Sequence, residues 1–273
     1  MSPSPETIES LREAYSEGNI VVFAGAGVSQ AAGLPGWTEL AKMLRDRVRS
    51  DAYLQEIDAF IVQRKLIAAL SAIRQAMGRT EFCSAVEEAL DDRPFEVPDV
   101  AAAIASLRPR LKAMITTNLD RFLERAFEGA WDAITRAPGD LAQRRGFILK
   151  LHGTLMERSS WVFDRAEYDK AIYGAPGERA VLRALLHSSH LLFIGFGLDD
   201  DDTDQLFAQV RALQGQQPPT HFALLKQPIG PYHRKVCDET GIRILEYAEH
   251  AEVPDLLRRL AHGGGDLPTM ARR

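Results

Sequence analysis

The feature that most constrains this chain is a recurring pattern. Short apolar runs end in glycine or polar residues and are separated by stretches of helical periodicity. Ile20-Val21-Val22-Phe23-Ala24 runs into Gly25, and similar runs occupy Lys112–Thr116, Phe147–Leu151, Leu191–Ile194, Phe222–Leu225 and Ile242–Leu245. Runs this short, apolar on both alternating faces, predict strands buried in the middle of a sheet. Trp37, Leu40, Ala41, Leu44 and Val48 share one helical face, as do Leu206, Val210 and Leu213, so the intervening segments read as amphipathic helices. Alternation of this kind predicts an α/β fold, a Rossmann-like parallel sheet with helices on both faces. Ligands of such sheets sit beyond the carboxyl ends of the strands.

One stretch departs from the alternation. From Trp37 to about Arg110 the periodicity is helical throughout, too long for an ordinary crossover, which predicts a helical insertion subdomain. Residues 1–265 are expected to form a single domain, with 266–273 a flexible tail after Gly263-Gly264-Gly265. The 33 Lys and Arg against 38 Asp and Glu give a net charge of −5, so no basic field invites nucleic acid. The longest apolar stretches, such as Val100–Leu107, fall far short of the ~20 residues a membrane span needs. No basic or apolar leader opens the sequence, and a soluble, cytoplasmic protein is expected. Cys83 and Cys237 are too few for a four-cysteine zinc site and read as buried free thiols.

Four segments place chemistry at strand ends. Gly25-Ala26-Gly27-Val28-Ser29, followed by Gly33-Leu34-Pro35, follows the first strand. Such a loop lets backbone amides approach a phosphate at a helix N-terminus, or serves only as a tight turn. Its G-x-G-x5-G spacing is not the dinucleotide fingerprint, and it lacks the lysine of a P-loop. Thr116-Thr117-Asn118-Leu119-Asp120 puts polar side chains at the second strand's end, where Thr117 or Asn118 also suits a cap on a helix over Leu119–Phe127. Leu151-His152-Gly153 sets an ionisable ring, with an ordinary pKa near neutrality, at the next strand end. Ile194-Gly195-Phe196-Gly197 supplies another glycine-flanked turn. The acidic run Asp199–Asp204 fits a helix start better than a cation loop. Trp131 and Trp161 read as core or interface aromatics, and Arg144-Arg145 and Arg258-Arg259 as solvated or assembly contacts.

Taken in order, these segments resemble the sirtuin family. Gly25–Ser29 with Gly33-Leu34-Pro35 is similar to that family's G-A-G-I-S…G-I-P loop. Thr116–Asp120 is similar to its T-Q-N-I-D and Leu151-His152-Gly153 to its L-H-G, while Ile194–Gly197 stands at its G-T-S segment. The two C-x-x-C pairs of the family's zinc ribbon are missing, Gly36-Trp37-Thr38 replaces Asp-Phe-Arg, and Thr117 replaces the glutamine. These departures, with Trp161-Val162-Phe163-Asp164…Tyr168, resemble the bacterial anti-phage branch, which implies an NAD+ glycohydrolase rather than a lysine deacylase. A deacylase or ADP-ribosyl transferase, and a non-catalytic nucleotide sensor, are the alternatives. The resemblance implies NAD+ as substrate and no metal. It implies catalytic roles for Asn118 and His152, and NAD+ contacts from Gly25, Ala26, Gly27, Ser29, Leu34, Pro35, Trp37, Thr117, Asp120, Gly195 and Gly197. It also implies regulation by homo-oligomerisation or by a partner such as a HerA-type ATPase or a short Argonaute complex.

Overall fold

The structure is a computed structural model, and it describes residues 5–164, 166–167, 176–196 and 219–263. Gly197, Tyr168, Asp199–Asp204, the helical pattern through Leu206, Val210 and Leu213, and the expected tail lie outside these residues.

The strands are β1 (Ile20–Ala24), β2 (Leu111–Thr116), β3 (Asp132–Ile134), β4 (Phe147–Lys150), β5 (His190–Ile194), β6 (His221–Lys226) and β7 (Ile242–Tyr247). They form one sheet in the order β3-β4-β2-β1-β5-β6-β7, and every pairing is parallel. In the central strand, Val22 faces Met114 of β2 on one side and Leu192 of β5 on the other. The chain runs outward from β1 through β2 to β4, then returns to place β5 on β1's other edge. The crevice at the carboxyl ends of β1 and β5 is therefore the topological switch point, where ligands of open α/β sheets bind. The sequence pattern misses β3, because Asp132-Ala133-Ile134 at the sheet's edge is only partly covered and carries no apolar run.

Both faces of the sheet are covered, which explains why its strands are apolar throughout. On one face Ile20, Val22, Met114, Ile148, Leu192 and Phe222 pack with α1 (Pro5–Ser16), α7 (Asp99–Ser106), α8 (Phe122–Ala126) and α11 (Glu252–His262). On the other, Val21, Phe23, Ile115, Leu149, Leu191 and Phe193 meet α9 (Pro176–Ser188) and α10 (Pro231–Thr240). Between β1 and β2 lie α2 (Gly27–Gln30), α3 (Trp37–Arg45), α4 (Asp51–Val62), α5 (Leu66–Met77), α6 (Arg79–Ala89) and then α7. The all-helical stretch divides by packing: α3–α6 enclose a separate core around Leu44, Ile57, Leu70, Ile73 and Phe82, whereas α7 belongs beneath the sheet. Leu119, Trp161 and Phe163 complete the α3–α6 core from the loops after β2 and β4, seating it over the carboxyl ends of those strands. Cys83 and Cys237 are free, buried thiols, and burial pushes the Cys237 thiol up to about 12. Among the described residues no helix is long and apolar enough to cross a membrane.

Candidate active site

The loop after β1 is held by its neighbour across the switch point. The Gly25 N–H donates to the Ile194 carbonyl at 2.9 Å and the Gly27 N–H to the Gly195 carbonyl at 2.8 Å. A Cβ on Gly25 would lie 2.7 Å from the Gly195 oxygen, and one on Gly27 would lie 2.9 Å from the Gly195 Cα. The first two glycines thus let two strand-end loops touch. Their own amides are spent on that contact, and α2, at four residues, offers the phosphate no long helix terminus. Val28 and Ser29 donate their amides back to Gly25 and Ala26. Among the described residues, the Ala26 amide makes no such bond to another loop carbonyl.

Ser29, Asn118 and Asp120 form one buried chain of hydrogen bonds. Asn118 Nδ2 donates to the Gly25 carbonyl at 3.0 Å and to Ser29 Oγ at 2.9 Å, and Ser29 Oγ donates to Asp120 Oδ2 at 2.5 Å. With both Nδ2 hydrogens used, the polar atom of Asn118 that remains for a ligand is Oδ1. Thr116 Oγ1 accepts from the Asn118 amide and donates to the Ala24 carbonyl, joining β2's end to β1's. Asp120 also accepts the Phe122 N–H at 3.1 Å. Its carboxylate is therefore committed to the protein, and α8 begins at Phe122 rather than at Leu119, with Asp120 instead of Thr117 or Asn118 at its start. Burial raises the Asp120 pKa above the usual carboxylate range, against the pull of the nearby Lys150 cation.

Lys150, the last residue of β4, is wholly buried. Its Nζ donates to the Leu119 and Asp120 carbonyls and pairs with Glu124 at 2.6 Å. A lysine at the end of an otherwise apolar strand was the signal available for it.

His152 follows β4 and is 2% exposed, with its ring 5.3 Å from that of Trp37 in an edge-on arrangement. Burial pushes its pKa down to about 4, well below the near-neutral value expected of an unperturbed imidazole. The ring is therefore neutral at physiological pH. Gly153 turns the chain away with φ +85, which permits the backbone to pack against Ser160.

Two hollows open at this end of the sheet. A small one of about 30 Å3 is lined by Ser29, Pro35, Trp37, Thr117, Asn118 and Asp120. A larger one of about 440 Å3 runs from Gly27 and Gln30 past Ile194, Gly195 and Phe196 to the ends of β6 and β7. The expected site residues thus divide. Ala26, Ser29, Pro35, Trp37, Thr117, Asn118 and Asp120 surround the small hollow, Gly27 and Gly195 face the large one, and Gly25 and His152 line neither. Leu34 is buried in the core beneath the sheet and lines neither hollow.

A family model described as a SIR2-like domain matches residues 112–245. Over that stretch, a little under half of its length, the chain is similar to SIR2-like domains. The chain is 25% identical over 252 residues to "NAD(+) hydrolase ThsA" of Cytobacillus dafuensis, covering 88% of this chain and 48% of that protein. It is 22% identical over 254 residues to "Defense-associated sirtuin 2" of Bacillus subtilis, covering 89% of this chain and 24% of that protein. The chain spans about half or less of the length of these curated relatives. The crystal structure of a SIR2 homolog–NAD complex superposes with a TM-score of 0.50 at 16% identity, covering 95% of this chain and 94% of that one. This agrees with the Rossmann-like sheet. Among the described residues no group of three or more His, Cys, Asp or Glu side chains is placed to hold a metal ion.

Proposed function

We propose that the chain is an NAD+ glycohydrolase, cleaving the nicotinamide–ribose bond to give nicotinamide and ADP-ribose, and that it is the NAD-depleting part of a bacterial anti-phage defence system. The observation that carries this reading is the buried Ser29–Asn118–Asp120 hydrogen-bond chain lining the small hollow, with a neutral His152 packed after β4 against Trp37, which lines the same hollow. Relatives named NAD(+) hydrolase support it.

The pyridinium of NAD+ is already a good leaving group, so the site has little acid work to do. It has to stabilise an oxocarbenium-like ribose and position a water. Asn118, fixed through its Nδ2, directs Oδ1 at a ribose hydroxyl or at the attacking water. The neutral imidazole of His152 accepts a hydrogen bond from the same groups without first losing a proton. Gly27 and Gly195 lie against the adenosine half in the large cavity, and Ala26 offers its amide to the pyrophosphate. The hollow at Asn118, about 30 Å3, has room for about one water and not for a nicotinamide riboside. The Pro35–Leu40 wall over it must shift for substrate to enter. Self-assembly, or a partner such as a HerA-type ATPase or a short Argonaute complex, supplies the regulation in this reading.

The test is nicotinamide release from NAD+ by the purified chain, alone and assembled with its partner. Asn118→Ala and His152→Ala are each expected to lower the rate ~10²-fold or more. Release at the wild-type rate by both variants refutes the assignment. Free ADP-ribose formed without an acyl-lysine substrate separates hydrolysis from deacylation.

A further inference from the structure

The large cavity has a polarity that the proposed chemistry does not use. Its inner wall is apolar, from Val28, Ile194, Leu224 and Val253, while its outer rim carries Lys226, His233 and His250. No carboxylate lines it among the described residues. Among the described residues, the acids near the rim are Glu246 and Glu249. Glu246, on β7, takes Arg234 at 2.8 Å and the Gln227 amide at 3.0 Å. Glu249 meets Lys226 at 3.4 Å, but with three-quarters of its side chain exposed, and such a pair holds a lysine only weakly. The Tyr247 hydroxyl and His250 Nδ1 share a hydrogen bond of 3.2 Å, which anchors that imidazole from one side.

Dinucleotide sites that select the unphosphorylated form commonly set a carboxylate against the adenosine ribose 2′-hydroxyl, whereas a cationic side chain accommodates a 2′-phosphate. We propose that this cavity takes the adenosine half of the dinucleotide and that Lys226, with His233 and His250, receives a 2′-phosphate, so that the chain's substrate class includes NADP+. The proposal rests on the hydrolase reading for the identity of the ligand. Its chemistry is carried by the sign of the rim. Lys226 sits at the end of β6 on a flexible stem and can leave Glu249 for a dianion. With its Nδ1 accepting from the Tyr247 hydroxyl, His250 keeps Nε2–H to donate to a phosphate oxygen. The apolar wall offers a face for the adenine ring.

The deciding measurement is calorimetric titration of the full chain with adenosine 2′,5′-bisphosphate and with 5′-AMP, neither of which can be cleaved at a nicotinamide bond. The bisphosphate is expected to bind at least tenfold more tightly. Lys226→Glu is expected to reduce that preference at least tenfold, and Lys226→Gln, which removes the charge without reversing it, by less. Equal affinity for the two nucleotides, binding of neither, or an unchanged preference in Lys226→Glu overturns the proposal. Hydrolysis then separates the two readings. Nicotinamide released from NAD+ but not from NADP+ overturns this inference and leaves the hydrolase standing. Release from neither overturns the hydrolase, while the titration still decides the character of the rim.

Discussion

Replacing Lys150 by methionine removes a fully buried ammonium while keeping most of its volume. The ammonium serves the Leu119 and Asp120 carbonyls and the Glu124 carboxylate, and methionine supplies none of these hydrogen bonds. Removing one member of a buried ion pair costs ~3–5 kcal/mol, because the partner charge is left without compensation. Glu124 keeps about a fifth of its side chain in contact with solvent, so the lower end applies and the expected loss is about 3 kcal/mol. For a chain of this size, 1 kcal/mol shifts Tm by ~2–4 °C, which gives a fall of roughly 6–12 °C. Urea unfolding at pH 7 measures the free energy directly, and scanning calorimetry measures the shift. Glu124→Gln in the same background recovers part of the loss, since the uncompensated carboxylate is then gone, and the cycle isolates the pair. A loss below ~1 kcal/mol for Lys150→Met, with no coupling to Glu124, would falsify the view that this cation holds the loop after β2.

Two further outcomes follow from the same geometry, alongside the Asn118, His152 and Lys226 substitutions above. His152 and His221 both have pKa values pushed down to about 4 by burial, against ~6.5 when unfolded. The unfolded chain therefore binds more protons between those values, and stability is full above pH ~6.5 and falls as the pH drops towards 4. From pH 6.5 to 5 each histidine removes up to ~2 kcal/mol, partly offset by Asp120, whose raised pKa acts in the opposite sense. Unfolding free energies at pH 7, 6 and 5 check this, and a flat profile refutes it. Gly27→Ala pushes a methyl group into the Gly195 backbone and is expected to cost at least ~1–3 kcal/mol. Thermal melts and nicotinamide release should fall together, and an unchanged melt would show that the two loops separate at no cost.

The parallel sheet was legible because burial on both faces forces continuous apolar runs, and six of the seven strands carry one. β3 was not legible because an edge strand of Asp132-Ala133-Ile134 has little to bury. The helical stretch was visible by its periodicity. Its division between two cores was not, since Ala101, Ile104 and Leu107 look like any amphipathic face until their partners are known. Asn118 stood out because it follows a strand end, and it lines the small hollow; His152 stood out for the same reason but is buried against Trp37 and lines neither hollow. What remained hidden were consequences of folding at a distance. The Gly25 and Gly27 amides are taken up by the end of β5 and the loop after it, the Asp120 carboxylate is tied to Ser29, and burial keeps His152 neutral. Each depends on a residue from another strand end, and nothing in local spacing reports such a partner.

The contact between the loops after β1 and β5 has a consequence for how the two halves of a dinucleotide are sensed. Gly195 forms part of the large cavity's wall and accepts the Gly27 amide; two residues on, Ser29 holds Asn118. On the proposed function, a nucleotide seated against Gly195 and Phe196 would bear on the same short segment whose Ser29 holds the Asn118 carboxamide. Adenosine occupancy is then expected to influence reactivity at the nicotinamide ribose. Fragments lacking the adenosine half should lose turnover as well as affinity, because the distal half helps to set the geometry at the bond that breaks.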